Sequence, residues 1–391
     1  MRTLIGDIGQ LVTGDIAAPL SDADSILAED GLIVAVGRGL SGDADIVIDA
    51  AGATAIPGLI DSHSHPALGD FTPRQRTLDV YESALHGGVT TAVSAGEPHV
   101  PGRPRDVVGL KALAILAARA YATYRPGGVK VHAGAPILEE GLTEENFIDL
   151  AAAGVRRLGE IGLGSVRTGE AAAPMVAWAR AQGMVSTIHT GGPSLPGSSA
   201  IDAGAVMEAA PDIVGHVNGG TTSLSEPDIE RLAATEMAIE IVHNGNGRTA
   251  LTALAAARAA GGLDQVILGT DSPSGSGVVP LGMLRLIAHL SALGGIAPEV
   301  GICLATGNSA RVHRLDVGLI APGRPADICL IDAPSGSVAS TALEALAIGD
   351  LPGISLVLVD GRALIGRSRN TPPAARAARV VKGAGPAGGG H

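Results

Sequence analysis

The segment AIPGLIDSHSH (55–65) decides how the rest of the chain is read. It is a short apolar run that ends on His63-Ser64-His65. In an extended strand residues i and i+2 point to the same side, so both imidazoles can serve one metal ion. Seven further runs of this type follow: GVTTAVSAG (88–96), GVKVHAGAP (128–136), GVRRLGEIGLG (154–164), MVSTIHTGG (184–192), DIVGHVNGG (212–220), MAIEIVHNGN (237–246) and QVILGTDSPSG (265–275). Helical stretches such as 105–124 and 170–182 separate them. Eight strand–helix units predict an α/β fold, a (β/α)8 TIM barrel. A doubly wound sheet is the alternative, but the glycine fingerprint of a dinucleotide site is missing after the first strand.

Both flanks of the eight units read as strands. ILAEDGLIVAVG (26–37) is two β-rich runs joined by Asp30-Gly31, a hairpin signal. DADIVIDAAG (43–52) predicts another strand. After a last helix near 298–313, ADICLIDA (326–333) and SLVLVDGRALIG (355–366) return to the same style. Residues 1–54 and 314–370 are therefore expected to form one small β-module, split by a barrel over 55–313. Residues 371–391 are expected to be a partly disordered tail, ending in the low-complexity GAGPAGGGH (383–391).

Composition narrows the function. The chain has 391 residues, 46% of them hydrophobic, and a formal charge of −12. That excludes an acidic disordered protein and argues against nucleic acid or an anionic membrane as partner. Two cysteines cannot staple a chain of this length, and they form no thiolate cluster. No run approaches ~20 apolar residues, and the opening MRTLIGDIGQ has no leader pattern. A cytoplasmic protein is the expectation. Lys occurs only at 111, 130 and 382, so nearly all positive charge is Arg.

The strand ends carry the chemistry, because they converge on the catalytic face of a barrel. The first gives His63 and His65, the fourth Glu160, the fifth His189, the sixth His216 and the eighth Asp271. One metal takes about four ligands; six converging ligands suit two metals sharing a bridging carboxylate. Isolated histidines (His86, His99, His289, His313, His391) are assigned structural roles.

Here the residues reach a family. PGLIDSHSH (57–65), with His189, His216 and Asp271 at strand ends, resembles the amidohydrolase superfamily. LATGNSARVHRLDVGLIAPGRPADICLID (304–332) resembles that superfamily's junction between helix and β-sandwich. The resemblance implies a metal-dependent barrel with a composite β-sandwich. Many members bridge their metals with a carboxylated Lys at the end of the fourth strand, where this chain has Glu160. A narrower resemblance, to the enamidase family, rests on SALHGGVTTAVSAGEPHVPGRP (83–104), GVKVHAGAPILEEGLTEE (128–145), HTGGPSLPGSS (189–199), DSPSGSGVVPLG (271–282) and SRNTPPAARAAR (368–379). It implies hydrolysis of a cyclic enamide, 6-oxo-1,4,5,6-tetrahydronicotinate, to 2-formylglutarate and ammonia. It also implies two divalent metals, zinc and/or iron, and a homotetramer.

On this reading His63, His65 and Asp271 hold the first metal, His189 and His216 the second, and Glu160 bridges. A hydroxide between the metals attacks the amide carbon. Asp271 takes its proton and passes it to the leaving nitrogen. The implied substrate is an anion, so a cation should meet its carboxylate. Lys130, sharing a strand face with His132, is the preferred candidate if that face is inward. Pairing with a nearby carboxylate is the competing reading, and a carboxylated Lys130 bridging the metals is a third. Arg103 and Arg167 are rival clamps, and Thr190, Asn218 and His243 are candidate substrate contacts. The Gly pairs at 191–192 and 219–220 permit close backbone approach, and the SGSG run (274–277) is read as a loop. Rival functions are a hydantoinase- or dihydroorotase-like cyclic amidase and an N-acyl amino acid deacylase. A mononuclear deaminase would place Glu where Gly192 stands. A non-catalytic scaffold would have lost ligands, and none of the expected ones is missing.

Overall fold

The structure, a computed structural model, describes residues 1–66, 80–97, 102–193, 198–219, 223–273 and 279–386. His99, His391, Gly220 and the SGSG run (274–277) lie outside the described residues. The N-terminal strands are β1 (Arg2–Gly6), β2 (Gln10–Val12), β3 (Leu20–Ser21), β4 (Ser25–Glu29), β5 (Leu32–Gly37), β6 (Ile46–Asp49) and β7 (Thr54–Pro57). The central strands are β8 (Leu59–Ser64), β9 (Val89–Ser94), β10 (Lys130–His132), β11 (Thr187–Ile188), β12 (Ile213–Val214), β13 (Ala238–Val242) and β14 (Val266–Gly269). The C-terminal strands are β15 (Ile328–Asp332), β16 (Gly353–Val359), β17 (Arg362–Ile365) and β18 (Arg379–Lys382).

The two ends of the chain interleave in two sheets. One runs β18-β6-β1-β4-β5 and the other β17-β16-β15-β7-β2-β3. Ile5, Ile26 and Ile48 from the first sheet meet Ile328, Leu330, Leu356 and Leu358 from the second in a shared apolar core. The Asp30-Gly31 hairpin forms as expected: β4 and β5 pair antiparallel, and both turn residues have positive φ, 49° and 87°. The sheets reach past the expected boundaries. β7 continues to Pro57, and β18 pairs with β6 inside the segment expected to be a tail. A short polar strand after a Pro-rich stretch carries little apolar signal, and it forms because an unpaired edge of β6 is there to receive it.

The central strands are parallel and follow one another round a ring. β8, β9 and β10 pair in order, as do β11 to β14. The fourth run is held by isolated parallel bridges, Arg157 to Val185 and Ile161 to Ile188. On its other side Gly159 N donates to Pro136 O (3.0 Å) and Glu160 N to Ala95 O (2.7 Å). Closure is made by His65 N on Ser272 O (3.0 Å) and Asp271 N on His63 O (2.9 Å). Helices Val107–Thr123 and Gly169–Ala181 stand where helical stretches were predicted. Each has an N-cap side chain on the third helical amide, Asp106 on Gly109 and Thr168 on Ala171. Among the described residues no helix is long and apolar enough to cross a membrane.

Candidate metal centre

The closure of the ring places the site. β8 ends in His63 and His65, and β14 runs straight into Asp271, so the hydrogen bonds that join first strand to last also set these three side chains together. Below them Asp61 fastens the seam: its carboxylate accepts Thr270 N (2.8 Å) and Thr270 Oγ1 (2.6 Å). Burial pushes the Asp61 carboxyl up to about 6 against the pull of these bonds. Gly269 is required here, since a Cβ would lie 2.6 Å from His63 Cβ.

Glu160 sits between two pairs of imidazoles, and its two oxygens divide the work. Oε2 lies 3.7 Å from His63 Nε2 and 4.0 Å from His65 Nε2. Oε1 lies 2.6 Å from His216 Nε2 and 3.3 Å from His189 Nδ1. Asp271 Oδ1 is 3.0 Å from His65 Nε2 and 3.7 Å from His63 Nε2. All six side chains are thus brought together as expected. Five are buried, and Asp271 is the one with appreciable exposure, 19%. Burial raises Glu160, but the charges of His63 and His216 outweigh it and hold its carboxyl well below the ordinary range. Conversely, burial opposes the charged form of His63, yet Glu240 and Glu160 hold its pKa well above the usual imidazole value.

The donor set fits metal ions. His63, His65 and Asp271 present ligand atoms within 4.8 Å of one another, and so do His63, Glu160 and His216. His63 Nε2 is buried and has no hydrogen-bond partner among the described residues, an arrangement that costs free energy unless a further group such as a metal ion satisfies it. Two of these residues also hold uncommon backbone geometry, His216 at φ 28° and Asp271 at φ 56°. Strain of this kind typically costs about 1–3 kcal/mol per residue and concentrates at functional sites.

Comparison with known proteins follows from this geometry. Residues 54–364 match the model of the amidohydrolase family. The chain belongs to the amidohydrolase family. It is 51% identical to enamidase from Eubacterium barkeri, over 97% of this chain and 100% of the relative. It superposes on the crystal structure of enamidase with a TM-score of 0.93, covering 97% of this chain and 100% of that one. Imidazolonepropionase from Streptomyces griseus is 25% identical, over 85% of this chain and 93% of the relative. A crystal structure of another amidohydrolase, 18% identical and covering 94% of this chain and 100% of that one, shares the fold with a TM-score of 0.65. The family's (β/α)8 barrel with an appended β-sandwich is the architecture described above.

The expected substrate contacts fare differently from the ligands. Lys130 is not at the site. It opens β10 at the far end of the ring, where Nζ donates to Asp327 (2.7 and 2.9 Å) and to Asp360 (2.7 Å) of the sandwich. The reading that paired it with a carboxylate holds, and neither a substrate clamp nor a bridging Lys130 can be made from a side chain so committed. His132 ends the same strand, and burial together with Arg157 and Lys130 lowers its pKa to about 3. Thr190 is buried and donates to Gly215 O (2.7 Å). Asn218 joins β13 from both ends of its amide, accepting Val242 N (2.8 Å) and donating to Val242 O (2.9 Å). These two are committed to the backbone rather than open to a substrate. Arg167 is exposed, with Nε on Gly164 O (3.3 Å). His243 is half-buried beside Asn244 Oδ1 (3.2 Å). Arg103 donates to Glu139 (2.6 Å) through Nη2, while its buried Nη1 has no hydrogen-bond partner among the described residues.

One carboxylate escapes the sequence reading. Glu240 stands in the middle of β13, between Ile239 and Ile241, and its Oε2 lies 2.6 Å from His63 Nδ1. Its signal was a single acidic residue at the centre of an otherwise apolar run.

Proposed function

We propose that this chain hydrolyses a cyclic enamide, 6-oxo-1,4,5,6-tetrahydronicotinate, to 2-formylglutarate and ammonia, using two divalent metals. That it is an enzyme, an amidohydrolase acting on the C–N bond of a cyclic amide, follows from its family and from 51% identity to enamidase along its length. The observation that carries the finer reading is Glu160, one oxygen turned to His63 and His65 and the other to His189 and His216. A carboxylate so placed would serve two cations without a carboxylated Lys. His63, His65 and Asp271 would hold one and His189 and His216 the other. Bound there, zinc or iron would acidify a water and polarise the amide carbonyl.

The remaining steps belong to the chain. Asp271 is the one ligand carboxylate open to a substrate, and it accepts the nucleophile's proton and delivers it to the ring nitrogen as the amide C–N bond breaks, leaving an enamine whose remaining C–N bond a second water cleaves to give the aldehyde and ammonia. The fixed imidazoles and the buried seam around Asp61 hold that carboxylate in place. Arg103 supports the reading of an anionic substrate. Glu139 orients its guanidinium, and Nη1, without a hydrogen-bond partner among the described residues, offers a donor to a carboxylate. His243 and Arg167 are the other candidate contacts. We assign the sandwich to residues 1–57 and 314–382, and the working form to a homotetramer in the cytoplasm.

The deciding experiment incubates metal-loaded protein with a panel of cyclic amides and the enamide, with ammonia release as readout. Ammonia from the enamide alone is the expected result. A ring-opened amide without ammonia overturns it in favour of a hydantoinase-like activity.

A further inference from the structure

We infer that Glu240 is a positioning residue that links the two metal positions, holding a ligand of each. The inference rests on the bimetallic reading above. Glu240 is 1% exposed in an apolar strand. Burying a carboxylate there is costly unless its oxygens are satisfied, and each of its partners belongs to or adjoins the centre. Oε2 accepts from His63 Nδ1 (2.6 Å) and from the backbone N of His216 (3.4 Å). Oε1 lies 2.7 Å from Ser62 Oγ, the residue before His63.

The contact with His63 fixes chemistry as well as place. A carboxylate only accepts, so Nδ1 carries a proton, and in the neutral ring that would bind a metal Nε2 carries the lone pair. That Nε2 is the buried nitrogen lacking a hydrogen-bond partner, and it points to both Glu160 and Asp271. His63 is common to both groups of candidate ligands, so it stands beside both positions. The contact with His216 acts on the other side. It restrains the backbone of a residue held at φ 28°, whose Nε2 meets Glu160 at 2.6 Å. One carboxylate therefore sets a tautomer in the first group and a strained turn in the second.

The test strips the metals from the wild type, Glu240→Gln, Glu240→Ala and Ser62→Ala. Each is then titrated with Zn²⁺ against a chromophoric chelator, with the metal-free melting temperature and the visible spectrum of the Co²⁺ form recorded beside it. Gln keeps the shape and an acceptor for Nδ1 but removes the charge, so its metal-free melting temperature should stay close to wild type. Both binding steps should weaken by about 10–100-fold, the range for residues that orient a metal ligand, and the Co²⁺ bands should shift. Ser62→Ala should weaken both steps less. Glu240→Gln remains informative even if Glu240→Ala does not fold. Two metals bound by Glu240→Gln with wild-type affinities overturns the inference. Weakening of one step alone also overturns it, because the link between positions is then absent. A wild type that takes fewer than two metals overturns the bimetallic reading itself, and is scored before any variant is compared.

Discussion

Two clusters of ionisable side chains occupy opposite ends of the barrel strands, and they are built on different rules. At the lower end Lys130 meets Asp327 and Asp360, and Arg125 adds a bond to Asp360 (2.6 Å). There every charge has a partner of opposite sign, and the cluster ties barrel to sandwich. At the upper end His63, His65, Glu160, His189, His216 and Asp271 converge, yet a buried nitrogen at their centre lacks a hydrogen bond. The lower cluster is complete in itself; the upper one is shaped for a visitor. Charged and ionisable groups thus serve stability in one place and chemistry in the other, and the difference lies in whether the protein alone satisfies them.

The comparison breaks first at Glu160. Glu160→Gln should lower kcat by roughly 10⁴-fold or more and reduce the metal content of purified protein, with little loss in melting temperature. Near wild-type turnover would show that the upper cluster is structural after all. Asp271→Asn should cost about 10³-fold in kcat, as expected for a proton shuttle, and steady-state kinetics at saturating substrate would measure it.

Lys130→Met should do the opposite. It strands the buried Asp327, and breaking such a pair typically costs about 3–5 kcal/mol of stability. Denaturant unfolding should show the loss, while kcat/KM per folded molecule stays unchanged. Adding Asp327→Asn should recover part of it, because no uncompensated charge remains. An activity loss larger than the loss of folded protein would return Lys130 to the substrate.

Acid titration sharpens the same contrast. Burial raises Asp360, but the hydrogen bonds and charges of Lys130 and Arg125 outweigh it, leaving its pKa below the ordinary 3.8. A lowered carboxylate contributes stability that is present above pH 3.8 and lost as pH falls through its folded value. Lys130→Met should flatten that acid limb of the stability profile. The smallest effect belongs to Arg103. Arg103→Gln should raise KM by about 10-fold with kcat nearly unchanged, as for lost uniform binding; an equal rise for the substrate's carboxamide analogue would remove the carboxylate from the argument.

The barrel and the convergence of the His, Glu and Asp side chains were legible in the sequence because both repeat. Strand–helix units recur, and His63, His65, Glu160, His189, His216 and Asp271 each stand at the end of one. Period-2 alternation, however, fixes a face and not a height. Lys130 shares a face with His132, but it starts its strand instead of ending it, and the bottom of a barrel meets the sandwich rather than the substrate. Thr190 and Asn218 stand at strand ends too, and nothing local tells a side chain that reaches into a cleft from one that folds back onto a neighbouring carbonyl. Glu240 was hidden for the opposite reason. It lies inside a strand, and only the three-dimensional neighbour, His63 Nδ1, gives it meaning. β18 followed a Pro-rich stretch that reads as tail until the open edge of β6 is seen.

The division of the sandwich between the two ends of the chain has a temporal side. β7 is made early, and its partner β15 emerges only after the whole barrel has been synthesised. At ~5–20 residues per second, the interval from Pro57 to Ile328 is roughly 15–55 s. For that time the edge of β7 and the apolar face of the first strands wait unpaired beside the ribosome, and for the later part of it Lys130 waits for Asp327. The last strands to leave the ribosome are therefore the latch on the first, and a chain cut short before β15 would present an open edge to whatever strand it met.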